Sequence, residues 1–257
     1  MRFDGKVVLI TGAAGGFGSR LAEVFGELGA RLVLSDVDGS GLADVAASLS
    51  SDVVTLAGDV CDPALHDYLV DVALSEFGAL DVAINNAGIV SPMQRIPETD
   101  EQVARSVIEV DLLGVFWALQ AQLPVMASRF SDEGTPGAIV NMASAAGLVG
   151  SPMLGIYAAA KHGVVGLTRS AAAEYGRKGV RVNAVCPSFA NTAMLTDYLE
   201  TAPRGRDAAE DALVRNIPMA RIGQRDEVVE AVVFAASPKN SFMTGETLSV
   251  DGGLTAI

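Results

Sequence analysis

The sequence predicts an α/β fold in which a doubly wound, mainly parallel sheet of seven strands carries helices on both faces, within one domain over residues 1–257. Three observations predict it. Short apolar runs rich in Val, Leu and Ile do not alternate with polar residues, as expected of strands buried on both faces. These runs are separated by stretches of helical periodicity, the pattern of strand–helix–strand crossovers. A glycine-rich turn joins the first run to the first helical stretch, and an acidic residue closes the second run.

Residues 6–11 form the first strand, with Val7, Val8, Leu9 and Ile10 as its core. Gly12, Gly15, Gly16 and Gly18 follow; Leu21, Val24, Phe25 and Leu28 then share a helix face that Gly29 closes. Residues 31–35 are the second strand, ending in Asp36, and residues 53–56 the third, ending in Gly58-Asp59-Val60. Pro63 marks the start of a helix carrying Leu65, Leu69, Val72 and Leu74 towards Gly78. Residues 80–84 are the fourth strand, followed by Asn85-Asn86-Ala87-Gly88. The next helix, over residues 101–129, is expected to kink or divide at Pro124. Residues 138–142 form the fifth strand and lead to Ser144; a helix over residues 154–177 carries Tyr157 and Lys161; residues 180–186 are the sixth strand, stopped by Pro187. Residues 191–218 read as one or two short helices, either a lid over a cleft or an ordinary surface excursion. A helix over residues 226–236 and a strand over residues 247–250 complete the chain.

Composition excludes several function classes. The longest apolar run, residues 231–236, is far short of the ~20 residues of a membrane span, and the N-terminus lacks a signal-peptide pattern. A soluble, cytoplasmic protein with no membrane partner is expected. The net charge of −13 is spread along the chain without basic clusters, which argues against nucleic-acid binding. Cys61 and Cys186 are the only cysteines, and Cys186 lies in an apolar run, so a buried thiol is expected rather than a disulfide. With His66 and His162 as the only histidines, no metal site is expected.

The strand, glycine turn, helix, strand and acidic residue together suit a dinucleotide. Glycines let the backbone approach a pyrophosphate, which the free N–H groups of a helix N-terminus can meet. Asp36, eighteen residues after Gly18, can accept hydrogen bonds from ribose hydroxyls. A carboxylate there repels a 2′-phosphate, and no Lys or Arg adjoins it, so NAD is expected over NADP. Tyr157 and Lys161 share a helix face, where a cation favours phenolate, and Ser144 can hydrogen-bond an alcohol or carbonyl oxygen. Tyr–Lys at this spacing also occurs by chance in ordinary helices; the dinucleotide context is what gives it chemical meaning.

The turn Thr11-Gly12-Ala13-Ala14-Gly15-Gly16-Phe17-Gly18, the segment Asn85-Asn86-Ala87-Gly88, and Ser144 with Tyr157-Ala158-Ala159-Ala160-Lys161 resemble the short-chain dehydrogenase/reductase family in its classical subgroup, over essentially the whole chain. The resemblance implies a Rossmann fold, usually assembled as a homotetramer, that moves hydride between nicotinamide and a secondary alcohol or ketone. It implies that Gly12, Gly16, Phe17 and Gly18 border the pyrophosphate, that Asp36 binds the adenosine ribose, and that Asp59 and Val60 lie by the adenine. Asn86, Ala87 and Gly88 support the middle of the cofactor, with Pro187 and Thr192 beside the nicotinamide. Tyr157 is the implied acid/base, Lys161 the implied ligand of the nicotinamide ribose, and Ser144 the implied orienter of the substrate oxygen.

Two positions depart from the family. Ser188 stands where glycine usually follows the proline, removing backbone freedom. Asp111, counted among the catalytic candidates, stands where asparagine normally helps hold a water behind the lysine. An ionised Asp111 close to Lys161 would hold the lysine's proton and offset part of its effect on Tyr157; a protonated or averted carboxyl would leave the position acting through its backbone. His162, Phe116 and Trp117 read as packing or subunit contacts. The substrate residues expected are 145–154, Phe189, Ala190, Met194, Leu195 and Tyr198, mostly apolar, which suits a neutral, moderately hydrophobic small molecule such as a cyclic alcohol or diol. The rivals are a 3-oxoacyl-thioester reductase, which most often prefers NADPH and is disfavoured by Asp36, and a non-catalytic NAD(H) sensor, disfavoured by the complete Ser144, Tyr157 and Lys161 set.

Overall fold

The computed structural model describes residues 1–200 and 205–256, leaving aside the side chains of Ala193 and Met194. Strands β1 (Val7–Thr11), β2 (Arg31–Asp36), β3 (Val53–Ala57), β4 (Val82–Asn85), β5 (Gly137–Met142), β6 (Val180–Pro187) and β7 (Thr247–Val250) form one sheet in the order β3-β2-β1-β4-β5-β6-β7. Every pairing is parallel. The strand order reverses beside β1, so the crevice above β1 and β4 opens at the carboxyl ends of the strands.

The unalternating strand pattern has a direct cause. Val8 and Ile10 of β1 enter a core cluster with Leu21, Phe25, Val229 and Val232, while Val7 and Leu9 enter a second cluster with Leu69, Leu119 and Val165. The first cluster draws on helices α1 (Gly16–Glu27) and α9 (Arg225–Ala236), and the second on α3 (Pro63–Phe77), α5 (Gly114–Glu133) and α6 (Gly155–Tyr175). Both faces of the central strands are therefore covered, and successive residues of β1 contribute apolar burial to one side and then the other.

Local chemistry sets the helix ends. Asp62 caps α3 by accepting the Ala64 N–H, Pro63 occupies its first turn, and Gly78 ends it at φ 76°. Asp100 caps α4 (Glu101–Ile108) through the N–H groups of Gln102 and Val103. Helix α2 (Gly39–Ser48), capped by Asp38, has no counterpart in the sequence reading: it begins Gly-Ser-Gly and buries only Leu42, so its apolar periodicity is faint.

Of the kink or division expected at Pro124, the division does not occur. Helix α5 continues through Pro124 to Glu133, held by the buried Leu123 and Met126 on either side. The hydrogen-bond register instead changes at Glu109–Leu113, a π-helical turn between α4 and α5 that contains Asp111. Such turns insert one residue into the helical ladder and re-aim the side chains beside it. The stretch Glu101–Glu133 is long and apolar enough to cross a membrane by length and composition, yet half of its apolar window is buried inside the protein.

Residues 191–218 contain α7 (Ala193–Glu200) and α8 (Arg206–Val214), the two short helices the sequence suggests. Residues 201–204 of that segment lie outside the described residues.

Candidate active site

The carboxyl ends of the strands converge on a cleft of about 590 Å³. Phe17 from the glycine turn, Asn86 and Gly88 after β4, Ser144 after β5, Tyr157 and Lys161 on α6, and Pro187 and Thr192 at and beyond the end of β6 all line it. The structure thus brings these eight predicted residues together from five segments. Gly12, Gly16, Gly18, Asp36, Asp59, Val60, Ala87 and Asp111 lie outside that lining.

The glycine turn is tied to β4. The Asn86 amide donates to the carbonyls of Thr11 and Gly12 at 2.9 and 3.0 Å, and the N–H groups of Asn86 and Ala87 both reach Thr11 Oγ1 at 3.2 Å. A Cβ at Gly12 would stand 2.8 Å from Ala87 Cα, and one at Gly18 would strike the Gly12 carbonyl. At Gly15 and Gly16 it would meet nothing within 4 Å, so the turn is open on its outer side. Helix α1 has no side-chain cap and no acid in its first turn, which leaves its first N–H groups for an anion. This cradle fits a dinucleotide pyrophosphate. Asp36 accepts the Ala14 N–H through Oδ2 at 2.8 Å and the Asp38 N–H through Oδ1 at 3.0 Å, so its carboxylate is fixed at the end of β2 beside the turn. Asp59 is exposed and accepts the Cys61 N–H at 2.9 Å. Val60 lines a second, much smaller cavity with Thr11, His66 and Ala87.

At the reacting end, the Ser144 hydroxyl donates to the Pro187 carbonyl at 3.3 Å and accepts the Ala146 N–H at 3.2 Å. Lys161 is buried; its Nζ donates to the Met142 carbonyl at 3.1 Å and lies 5.6 Å from the Tyr157 ring centroid. Asp111 is fully buried behind it, with Oδ2 3.5 Å from Lys161 Nζ and Oδ1 accepting the Ile89 N–H at 2.7 Å. The carboxyl is therefore turned towards the lysine and not averted. Burial raises its pKa above the ordinary carboxylate value, while the Lys161 charge and the Ile89 N–H oppose the rise.

Below the site, a buried amide ladder fixes the heights of β4 and β5. Asn85 and Gln122 exchange bonds at 3.2 and 2.8 Å, Asn85 reaches Asn141 at 2.9 Å, and Asn141 reaches Thr168 at 2.9 Å. These residues link the strands that lead to Asn86 and Ser144 to α5 and α6.

Sequence reasoning missed part of the wall. Ile89, Val90, Pro92, Met93 and Leu254 line the cleft, as does Asp197 of α7 beside the expected Leu195 and Tyr198. The available signal was the apolar pair Ile89–Val90, separated from the end of β4 by Asn86, Ala87 and Gly88, where it remains partly exposed. Met194 is a predicted cleft residue whose side chain lies outside the described residues. Ser188 lines the cleft without a left-handed backbone, its N–H on the Val250 carbonyl at 3.2 Å. His162 is exposed, its ring nitrogen 2.9 Å from the Ala158 carbonyl. Among the described residues no cluster of ligating side chains could hold a metal, and both cysteines are free.

Comparison with known proteins gives consistent relatives. A family model described as enoyl-(acyl carrier protein) reductase matches residues 12–255. The chain is 40% identical over 258 residues to a cis-4-hydroxycyclohexanecarboxylate dehydrogenase of Sinomonas cyclohexanicum, covering 99% of this chain and 98% of the relative. It is 36% identical over 262 residues to a cyclohexanol dehydrogenase of an Acinetobacter species, covering 99% and 97%. Among solved structures, that of levodione reductase superposes with a TM-score of 0.93 at 35% identity, covering 99% of both chains.

Proposed function

Because this chain belongs to the short-chain dehydrogenase/reductase family and is an oxidoreductase of alcohols and ketones, we propose that it is an NAD-dependent dehydrogenase of neutral, cyclic secondary alcohols or the matching ketones. The observation that carries the reading is the shared cleft of Ser144, Tyr157 and Lys161, walled by apolar side chains and adjoining the glycine cradle.

The nicotinamide cofactor, when bound, supplies the hydride acceptor or donor. Gly12, Gly16, Phe17 and Gly18 give its pyrophosphate a close approach to the α1 N-terminus. Asp36 accepts ribose hydroxyls; with Asp38 nearby and no basic neighbour in residues 34–38, the position disfavours a 2′-phosphate and selects NAD. Asp59 and Val60 flank the adenine, and Asn86, Ala87 and Gly88 support the cofactor's middle, with Pro187 and Thr192 at its nicotinamide end. Tyr157 takes the hydroxyl proton of the alcohol as the phenolate and returns it to the ketone as the phenol. Lys161 contributes the positive charge beside Tyr157 and a donor to the nicotinamide ribose. The Ser144 bond to Pro187 is long at 3.3 Å, so its hydroxyl can turn to the substrate oxygen and fix it.

Charge argues for a neutral substrate. Among the described cleft-lining residues, Lys161 and Asp197 are the charged ones. Lys161 is engaged by Asp111 and the Met142 carbonyl, so its charge is not left over for an anionic substrate. Two relatives are named for cyclohexane-ring alcohols, which supports a ring-shaped substrate. The chain acts as one domain, with α7 and α8 as the lid, in a cytoplasmic homotetramer.

NADH absorbance with a panel of neutral cyclic alcohols, hydroxycyclohexanecarboxylates and 3-hydroxyacyl thioesters tests the reading. Neutral ring alcohols should give the highest kcat/KM. Faster turnover of thioesters, or NADH binding with no turnover of any alcohol or ketone, would overturn it.

A further inference from the structure

Asp111 and Lys161 form a close buried pair in which one carboxyl oxygen has no protein hydrogen-bond donor. Asp111 Oδ1 accepts the Ile89 N–H at 2.7 Å, whereas Oδ2 is buried without a hydrogen-bond partner and stands 3.5 Å from Lys161 Nζ. Lys161 is itself buried, donates to the Met142 carbonyl and stands beside the Tyr157 ring. The absence of a side chain at Gly88 keeps the pair close: a Cβ there would sit 3.3 Å from both Asp111 Oδ1 and Lys161 Nζ. The π turn Glu109–Leu113 is what delivers Asp111 to this position from the α4–α5 rod.

Among the described residues, the surroundings leave Lys161 as the cation that answers Asp111. Helix α6 presents Lys161 and Tyr157. Within the turn itself Glu109 is exposed to solvent, and on α4 Arg105 is exposed and bonded to Glu101. From the connection after β3, Cys61 lies near enough to feel Asp111, and burial together with its acidic neighbours pushes its thiol up to about 12, so it remains uncharged. From α3, His66 shares a small cavity with Val110 and is held neutral, its pKa lowered by burial. The start of α5 contributes Gly114, Val115 and Ala118 to the same region.

A cation shared between a carboxylate and a phenol cannot serve both fully. In a buried site of reduced dielectric, the field that Lys161 exerts on Tyr157 is diminished by a negative charge 3.5 Å from its nitrogen. We propose that Asp111 is the standing counter-ion of Lys161, a positioning residue that acts through the lysine and raises the pH at which Tyr157 can serve as a base. The sign follows from charge alone: a negative neighbour disfavours a second anion, so its removal favours phenolate. This inference rests on the proposed role of Tyr157 as acid/base.

The test compares the full-length parent with Asp111→Asn, which keeps the shape and removes the charge, and with Asp111→Ser as a second neutral variant. Two readouts are taken. The first is the ultraviolet phenolate absorption in the absence of any substrate, isolated by subtracting the same protein carrying Tyr157→Phe. The second is the pH profile of kcat/KM for alcohol oxidation. Both variants are expected to move the phenolate midpoint, and the acid limb of the profile with it, to lower pH by about one unit. The reverse shift, or phenolate titrations that superimpose in parent and variants, would overturn the proposal, since a merely structural Asp111 would change rate or stability without moving the midpoint. A shifted phenolate midpoint in a protein that oxidises no alcohol would support the counter-ion and count against the proposed function alone.

Discussion

Asp36 Oδ2 accepts the backbone N–H of Ala14 at 2.8 Å, so the acid that ends β2 also holds the glycine turn that ends β1. Removing it should act on the cofactor before it acts on the chemistry. For Asp36→Ala the ratio of kcat/KM with NAD to that with NADP should fall roughly 10- to 100-fold, the equivalent of one hydrogen bond to a charged group. Steady-state kinetics with both cofactors reads it directly, and the loss should appear mainly as a higher KM for NAD.

Tyr157→Phe removes the hydroxyl and leaves the ring that lies over Lys161. The expected result is a loss of about 10²- to 10⁴-fold in kcat, the usual worth of a general acid or base. NADH affinity, followed by fluorescence titration, should change little.

Gly18 faces the Gly12 carbonyl and lies 2.9 Å, measured from a built Cβ, from Ala13 Cα. Those neighbours are backbone and cannot swing away. Gly18→Ala should therefore open the turn, weaken NADH binding and lower stability by about 1–3 kcal/mol, read by fluorescence titration and by denaturant unfolding.

The strands and the glycine turn are legible in the sequence because burial on both faces leaves unbroken apolar runs and because glycine is the one residue that fits the Gly12 and Gly18 contacts. Helix α2 is not, since a short helix burying Leu42 alone imposes almost no periodicity. The division of the long helix is misplaced for a related reason. Proline removes one hydrogen bond locally, and packing around Leu123 and Met126 outweighs that, whereas nothing in Glu109-Val110-Asp111-Leu112-Leu113 marks a π turn by residue type. Tyr157 and Lys161 can be paired from helical spacing, and Ser144 joins them through the dinucleotide context and the family resemblance. The Ile89–Val90 wall cannot, because loop direction after Gly88 depends on the bond between the Ile89 N–H and Asp111.

Asn141 is fully buried and joins Asn85 to Thr168. Asn141→Leu keeps the branched shape but leaves two polar partners without their bonds to it. Stability should fall by about 1–3 kcal/mol or more, and the paired variant Asn141→Leu with Thr168→Val should recover part of the loss in a double-mutant cycle.

Asp81 accepts Lys6 Nζ at 2.9 Å, Arg129 at 2.8 Å and the Val7 N–H at 2.9 Å. Burial alone would raise its pKa, but these three donors outweigh it and hold the carboxyl below the ordinary range. A depressed native pKa means that the stabilisation is full above the unfolded value, near ~4, and is lost as pH falls through the lower native value. The melting temperature of the parent should accordingly drop more steeply below about pH 4 than that of Asp81→Asn. At neutral pH the variant should be the less stable of the two.

The central claim is direct hydride transfer between a ring alcohol and NAD in the cleft of Ser144, Tyr157 and Lys161. Oxidation of cyclohexanol carrying deuterium at the carbinol carbon, with mass analysis of the reduced cofactor, tests it most directly. One deuterium per NADH formed is the predicted result. NADH without the label, or no reduction of NAD by any cyclic alcohol, would contradict it.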